Sequence, residues 1–388
     1  MEAGQKDDVL IAGAGCAGLA TGIALLKRGH KVTILEVLDR VGGLAGGIEF
    51  RGNTYEYGPH IFHTTDPEVL EDVKRIAGHV LIPFERSIKI KFLGKYFDYP
   101  LTVRDMLTKL PVLTIIRAGF SFVRYFISGL LEGEKGLINS EKVLRRYYGD
   151  VLYRIFFRDY IIKVWGITPA QMAPSFAQQR IPNFGIFDFL EKIKKKFLRK
   201  KEEEISTEGY VEKVAGEYFT TRKGFSLICE AYAEEFQKLG GKLKFNTELT
   251  KVITLNGSCQ AVEYQSEGKL IKQECTRFIS TIPINLLPNL LEPSPPEEIA
   301  QHAHSLRFRG IVFVGILVCR KQVLPASFMY FRDKSFNRVT DLSYFHVDTV
   351  PEGATMLIAE ITNQPGDEAW NQDERTIQTV IHELLDEG

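Results

Sequence analysis

Gly13, Gly15 and Gly18 form a GxGxxG run whose spacing suits the binding of paired phosphates. Each glycine has its own reason to be bare. Gly13 permits a tight turn, Gly15 lets a pyrophosphate approach the backbone, and Gly18 lets helix and strand pack closely. The run alone is a weak signal, but its setting strengthens it. The apolar strand-like Val9-Leu10-Ile11-Ala12 precedes it, and the helical pattern Leu19–Arg28 follows. A helix N-terminus placed there offers unpaired N–H groups and the positive end of a dipole to phosphate. Glu36 closes the next strand-like run, Lys31–Glu36. Its carboxylate would accept hydrogen bonds from an adenosine ribose and disfavour a 2′-phosphate. Asp39-Arg40-Val41-Gly42-Gly43 then sets a second glycine pair just past the ribose acid, and Leu44–Gly47 stays small and glycine-rich. Backbone this bare can run close along a pyrophosphate toward a ring system, so FAD is preferred over NAD, with Arg40, Gly42, Gly43 and Leu44 beside it.

The elements that must position these residues read as strand–helix–strand over roughly 30 residues, the unit of a parallel sheet. Farther along, Pro67–Ala77 reads as a short helix and Ile88–Tyr99 as a hairpin turning at Gly94. Val103 to Gly185 is mostly helical, aromatic and arginine-rich. Gly224–Leu239 is an amphipathic helix stopped by Gly240-Gly241, and Lys242–Asn246, Gln260–Tyr264, Phe278–Thr281 and Ile311–Cys319 read as strands. The expected fold is α/β: a Rossmann-type FAD-binding domain with an inserted helical domain and a β-rich substrate domain. Its expected segments are 1–100 and 201–300 for FAD, 101–200 for the helical insertion and 301–388 for the substrate domain.

Composition narrows the function classes. The chain has 388 residues, 44% of them apolar, enough for a sizeable core. Lys+Arg and Asp+Glu each total 49, so no global charge attracts nucleic acid. Five cysteines lie scattered without CxxC spacing, which points away from a zinc site and toward a reducing cytoplasm. The N-terminus lacks the pattern of a signal peptide. The longest apolar stretch, Leu110 to Leu131, is interrupted by Arg117 and Arg124. It reads as a domain helix with a polar stripe, with a helix lying on a membrane surface as the alternative. The run Lys192–Glu204, basic then acidic, reads as a solvated loop, with a lid or an anionic-membrane contact as the sharper alternative. A homo-oligomer stays open.

Tyr57-Gly58-Pro59-His60-Ile61-Phe62-His63-Thr64 follows the fingerprint. Together they resemble UDP-galactopyranose mutase, within the amine-oxidase and protoporphyrinogen-oxidase class of flavoproteins. The resemblance implies that His60 sits near the isoalloxazine and that His63 supports the loop. A histidine there can donate a hydrogen bond and respond to the flavin's redox state. Phe156-Phe157-Arg158-Asp159-Tyr160, Lys163-Val164-Trp165-Gly166 and Arg180-Ile181-Pro182 are similar to a second mutase block. It implies that Trp165 lines the substrate pocket and Arg180 grips the diphosphate, which a guanidinium fork meets bidentately. Phe328-Met329-Tyr330-Phe331 with Arg338-Val339-Thr340 resembles a third block. It implies that Tyr330 and Arg338 contact the diphosphate from the opposite side. Asn246-Thr247-Glu248 with Val252 looks like a strand general to the class, in which Val252 would touch adenine through its backbone. Proteins of the class return at their C-terminus to close the FAD site. This chain stops at Leu384-Leu385-Asp386-Glu387-Gly388, so a C-terminal truncation is expected.

The favoured reaction, by this resemblance, is flavin-dependent interconversion of the pyranose and furanose forms of a UDP-sugar. His60, Arg180 and Arg338 are its candidate catalytic residues. No metal is expected. The rival is an FAD-dependent oxidoreductase of the protoporphyrinogen-oxidase or amine-oxidase kind acting on an apolar substrate. A third reading is a non-catalytic flavin or sugar-nucleotide binder.

Overall fold

The computed structural model describes residues 7–50, 53–181, 216–348, 350–371 and 374–388. Pro182 and the Lys192–Glu204 run lie outside the described residues. The chain folds into two interleaved units. The first holds Met1–Glu85, Glu217–Phe308 and Leu342–Glu352; the second holds Arg86–Gly216, Arg309–Asp341 and Gly353–Gly388.

In the first unit Lys242–Lys244, Lys31–Leu35, Asp8–Ala12 and Arg277–Ser280 form a parallel sheet in that order. Val9 to Ala12 are all buried. That explains why this strand reads as a continuous apolar run rather than an alternating one. The helices Cys16–Lys27 and Ser226–Lys238 share a core of Leu19, Ile23, Ile34 and Phe236 with the sheet. A Cβ on Gly22 would come within 2.7 Å of the Phe236 ring, so close packing of these elements requires glycine there. The helix begins at Cys16, three residues before the apolar pattern starts. Its first residues, Cys16, Ala17 and Gly18, are small, and Gly18 packs directly on the Gly13 carbonyl of the bend. A second sheet pairs Thr247–Leu255, Ser258–Ser266 and Lys269–Glu274 antiparallel.

The second unit is built on a six-stranded sheet. Its order is Gly310–Val318, Thr355–Asn363, Arg338–Asp341, Phe328–Phe331, Ile88–Phe92 and Lys95–Asp98. The expected hairpin Ile88–Phe92/Lys95–Asp98 is present and turns through Leu93 and Gly94, both at positive φ. The arginine-rich region forms the helices Val103–Lys109, Val112–Glu132, Ser140–Leu152, Asp159–Trp165 and Pro174–Arg180. Their core contains Phe97, Leu144, Tyr148, Tyr153 and Phe156. The helix Ser140–Leu152 breaks at Gly149, φ 71°, where a Cβ would lie 2.7 Å from the Phe122 backbone nitrogen. Close passage of the Val112–Glu132 helix therefore depends on that glycine.

Candidate functional site

The three glycines of the first bend are bare for different reasons. A Cβ on Gly13, at φ +102°, would lie 2.6 Å from Thr281 Oγ1, and one on Gly18 would lie 2.0 Å from the Gly13 carbonyl oxygen. The protein itself fills those places. Gly15 has ordinary extended backbone, φ −74°, and a Cβ there meets nothing nearer than the Gly42 carbonyl oxygen at 3.8 Å. The space over Gly15 is therefore kept clear without any internal packing need, which fits the approach of a pyrophosphate. Gly42 donates its N–H to the Ala14 carbonyl at 3.0 Å and bridges to Gly15, so the two glycine bends run side by side. Gly42 and Gly43 stand at φ +114° and +55°. Leu44, on the short turn Gly43–Ala45, is 86% exposed.

Glu36 is buried and does a job that spacing alone did not suggest. Its Oε2 accepts from the Ala14 N–H at 2.7 Å and its Oε1 from the Leu38 N–H at 3.0 Å. The carboxylate thus braces the bend, and each oxygen keeps a second acceptor site for a ribose hydroxyl. Arg40 is held by Asp39 at 2.9 Å and donates to the Tyr57 hydroxyl at 3.1 Å. Val252 lies in a core with Leu10, Leu35 and Tyr264, and its N–H goes to the Leu290 carbonyl at 2.6 Å.

His60 stands near the start of the helix Cys16–Lys27, close enough to act on the Cys16 thiol. Glu56, which sequence reading missed, organises this corner. Its Oε2 accepts from the His60 N–H at 3.0 Å, and its Oε1 accepts from the Phe225 N–H. The His60 ring packs 5.5 Å from that of Phe225. His60 Nδ1 lies 3.5 Å from Glu56 Oε2 and faces that carboxylate, whereas Ser280 Oγ is buried without a hydrogen-bond partner. An orphaned polar atom next to an open bend is what a bound polar ligand would satisfy. His63 stacks on Tyr218 at 4.2 Å, a loop-supporting contact. Cys16 also touches Cys229, with sulfurs 3.2 Å apart. The hydrogen bond from that neighbour lowers the Cys16 thiol to about 7.

In the second unit the helix Asp159–Trp165 carries candidates at both ends. At one end, Trp165 meets Phe176 edge-on at 5.2 Å, and the Arg180 guanidinium lies over Trp165 at 5.2 Å and Phe176 at 5.7 Å. Phe176 and Arg180 sit one turn apart on Pro174–Arg180, so helix geometry brings them to one side. Among the described residues no carboxylate lies within ion-pair distance of Arg180. At the other end, Tyr160 meets Tyr330 edge-on at 5.6 Å, and Tyr99 lies 5.9 Å from Tyr330. Tyr330 stands opposite Arg338, and Arg338 opposite Glu360, across three neighbouring strands. The Arg338 guanidinium is not free. It is bound to Glu360 Oε1 through Nε at 2.8 Å and Nη2 at 2.7 Å. Burial opposes its charge, but Glu360 outweighs this and raises its pKa. Burial pushes the Tyr160 hydroxyl well above the usual tyrosine range, so it stays protonated at neutral pH. Glu360 and Tyr160 went unread because their roles depend on strand register and helix docking. Among the described residues no cluster of His, Cys, Asp or Glu is arranged to hold a metal.

A model of the NAD(P)-binding Rossmann-like domain matches residues 11–76, and one of flavin-containing amine oxidoreductases matches residues 186–384. The probable UDP-galactopyranose mutase of Klebsiella pneumoniae is 27% identical over 196 residues, 46% of each chain. The neurosporene-forming phytoene desaturase of Cereibacter sphaeroides is 24% identical over 297 residues, 70% of this chain and 52% of its own. The chain spans about half the length of these curated relatives. Among solved structures, reduced UDP-galactopyranose mutase superposes with a TM-score of 0.75 at 22% identity, covering 92% of this chain and 75% of that one. The expected Rossmann-type α/β fold and the flavin cofactor agree with these matches.

Proposed function

The chain belongs to the flavin-containing amine oxidoreductase family, and from that premise we propose that it is a flavin-dependent mutase interconverting pyranose and furanose forms of a UDP-sugar. The observation that carries this reading is Arg180, whose guanidinium is seated on Trp165 and Phe176 and has no carboxylate within ion-pair distance among the described residues. A nucleoside diphosphate needs such a cation. An amine or polyene substrate does not. The likeness to the probable Klebsiella mutase supports the same choice.

FAD, when bound, supplies the nucleophilic and electron-storing chemistry. The bend at Gly15 and the N–H groups of the following helix hold its pyrophosphate, and Glu36 takes the ribose. His60 is anchored through Glu56, which takes its N–H and faces its Nδ1, so its ring is held at this corner. Arg180 holds the substrate's diphosphate against the Trp165 ring, and the aromatic faces keep its guanidinium pre-oriented. Arg338 is neutralised by Glu360, so its part is to fix the tyrosine row. Tyr160, kept protonated by burial, then offers its hydroxyl to a sugar, with the Tyr330 hydroxyl beside it.

An oxidoreductase acting on an apolar substrate is the second reading, favoured by the desaturase likeness and by an apolar crevice. The crevice is lined by Val103, Met106, Leu110, Phe122, Tyr148 and Leu152 and measures about 170 Å³. That falls below the roughly 300 Å³ at which ordinary ligand sites begin, so the crevice lends this second reading little weight. The deciding experiment reduces the flavin chemically and supplies UDP-galactopyranose or UDP-galactofuranose. Interconversion is expected only with reduced flavin. No turnover with either sugar, together with anaerobic flavin reduction by an apolar donor, overturns the proposal. Tight UDP-sugar binding without turnover in either state leaves only a binding protein.

A further inference from the structure

The helix Val112–Glu132 presents large apolar side chains to solvent along a single line. Leu113, Ile116, Phe120, Val123, Ile127 and Leu131 recur every three or four residues, and all are exposed, Phe120 by 76% and Leu131 by 84%. At about 100° per residue these positions share one face. The opposite face is fastened to the helix Ser140–Leu152. Ala118 is buried there, Ser121 Oγ accepts from the Asp150 N–H at 2.7 Å, and Arg146 donates to the Gly133 carbonyl at 3.0 Å. The exposed line is therefore the outer surface of a docked helix, and it exceeds the scattered apolar residues normal on a soluble surface. Leu107, on the neighbouring helix Val103–Lys109, is also exposed.

Charge tells what this face accepts. Arg117 and Arg124, two turns apart, each follow an apolar residue of the line and flank the same face. From Val112 to Leu131 the helix carries no acidic residue. Neither arginine has an ion-pair partner among the described residues. Two copies packed through this face would bring arginine against arginine with no carboxylate between them. Arginines at the flank of an apolar helix face instead suit anionic headgroups, reached by long side chains while the apolar line enters the acyl boundary. The helix has the length and composition to cross a bilayer. Its tether along one whole side to Ser140–Leu152 and its two midway arginines oppose crossing and favour lying flat.

We propose that the Val112–Glu132 helix docks the protein on the surface of an anionic phospholipid membrane, with its apolar line inserted and Arg117 and Arg124 at the headgroups. The test is co-sedimentation of the full chain with vesicles of phosphatidylcholine alone and of equal parts phosphatidylcholine and phosphatidylserine. Binding is expected to the mixed vesicles, weaker to the neutral ones, and reduced by salt. Phe120→Glu with Ile127→Glu should lower binding at least tenfold. Arg117→Gln with Arg124→Gln should abolish the preference for phosphatidylserine. All four positions are solvent-exposed, so unchanged thermal unfolding is expected and verifies that the variants fold. Absence of wild-type binding, or variants that bind like wild type, overturns the proposal. So does a wild-type dimer in sedimentation velocity that Phe120→Glu with Ile127→Glu converts to monomer, because a second copy then covers the face.

Discussion

Glu360 stands directly across its strand pair from Arg338, and one of its carboxylate oxygens takes both Nε and Nη2 of the guanidinium at 2.8 and 2.7 Å. The side chains are 10% and 28% exposed, so neither charge is fully hydrated. Removing the acid strands the cation beside tyrosine rings. Glu360→Ala should therefore cost roughly 3 kcal/mol, the low end for breaking a buried pair, because Arg338 keeps some solvent. Urea unfolding midpoints measure this, and a midpoint equal to wild type would show that the pair is not structural.

Arg180 is expected to behave oppositely. Being exposed, and without a carboxylate partner among the described residues, it contributes little to folding, and Arg180→Ala should leave the unfolding midpoint within about 0.5 kcal/mol of wild type. UDP binding should weaken by roughly 2 kcal/mol, about thirtyfold in Kd. Calorimetric titration with UDP reads the loss. Unchanged affinity would remove Arg180 from the site and with it the main support for a sugar-nucleotide substrate.

The glycines of the first bend separate ligand space from packing. Gly15→Ala puts a methyl where the protein leaves room, so the apoprotein should stay folded while purifying with little flavin. Gly18→Ala drives a Cβ to 2.0 Å from the Gly13 carbonyl oxygen and should cost at least about 3 kcal/mol or prevent folding. Flavin absorbance per protein, read beside thermal unfolding, distinguishes the two. A fully flavinylated Gly15→Ala protein would contradict the phosphate cradle.

Cys16 should titrate low. Iodoacetamide labelling is expected to rise with pH through a midpoint of about 7, because the thiolate is the reacting form and the Cys229 hydrogen bond favours it. Cys229→Ala should move the midpoint up toward the usual thiol range. Bound FAD should slow labelling, since Cys16 immediately follows Gly15. Exposed Cys319 is the internal reference in peptide mapping. A midpoint insensitive to Cys229→Ala would assign the shift to the helix terminus instead.

What the sequence determined alone is local in origin. A bare bend between an apolar strand and a helix, with an acid closing the next strand, is constrained by backbone sterics and hydrogen bonding within a few dozen residues. Gly13, Gly15, Gly18 and Glu36 were therefore readable before any coordinates, as was the Ile88–Tyr99 hairpin. Tertiary structure decided the matters that depend on residues distant in the chain. Only strand register sets Glu360 against Arg338 and so discharges one of the two arginines that the motifs suggested. Only docking on Ser140–Leu152 selects which side of the Val112–Glu132 helix is buried. Periodicity alone records an apolar face but not whether protein or solvent lies against it.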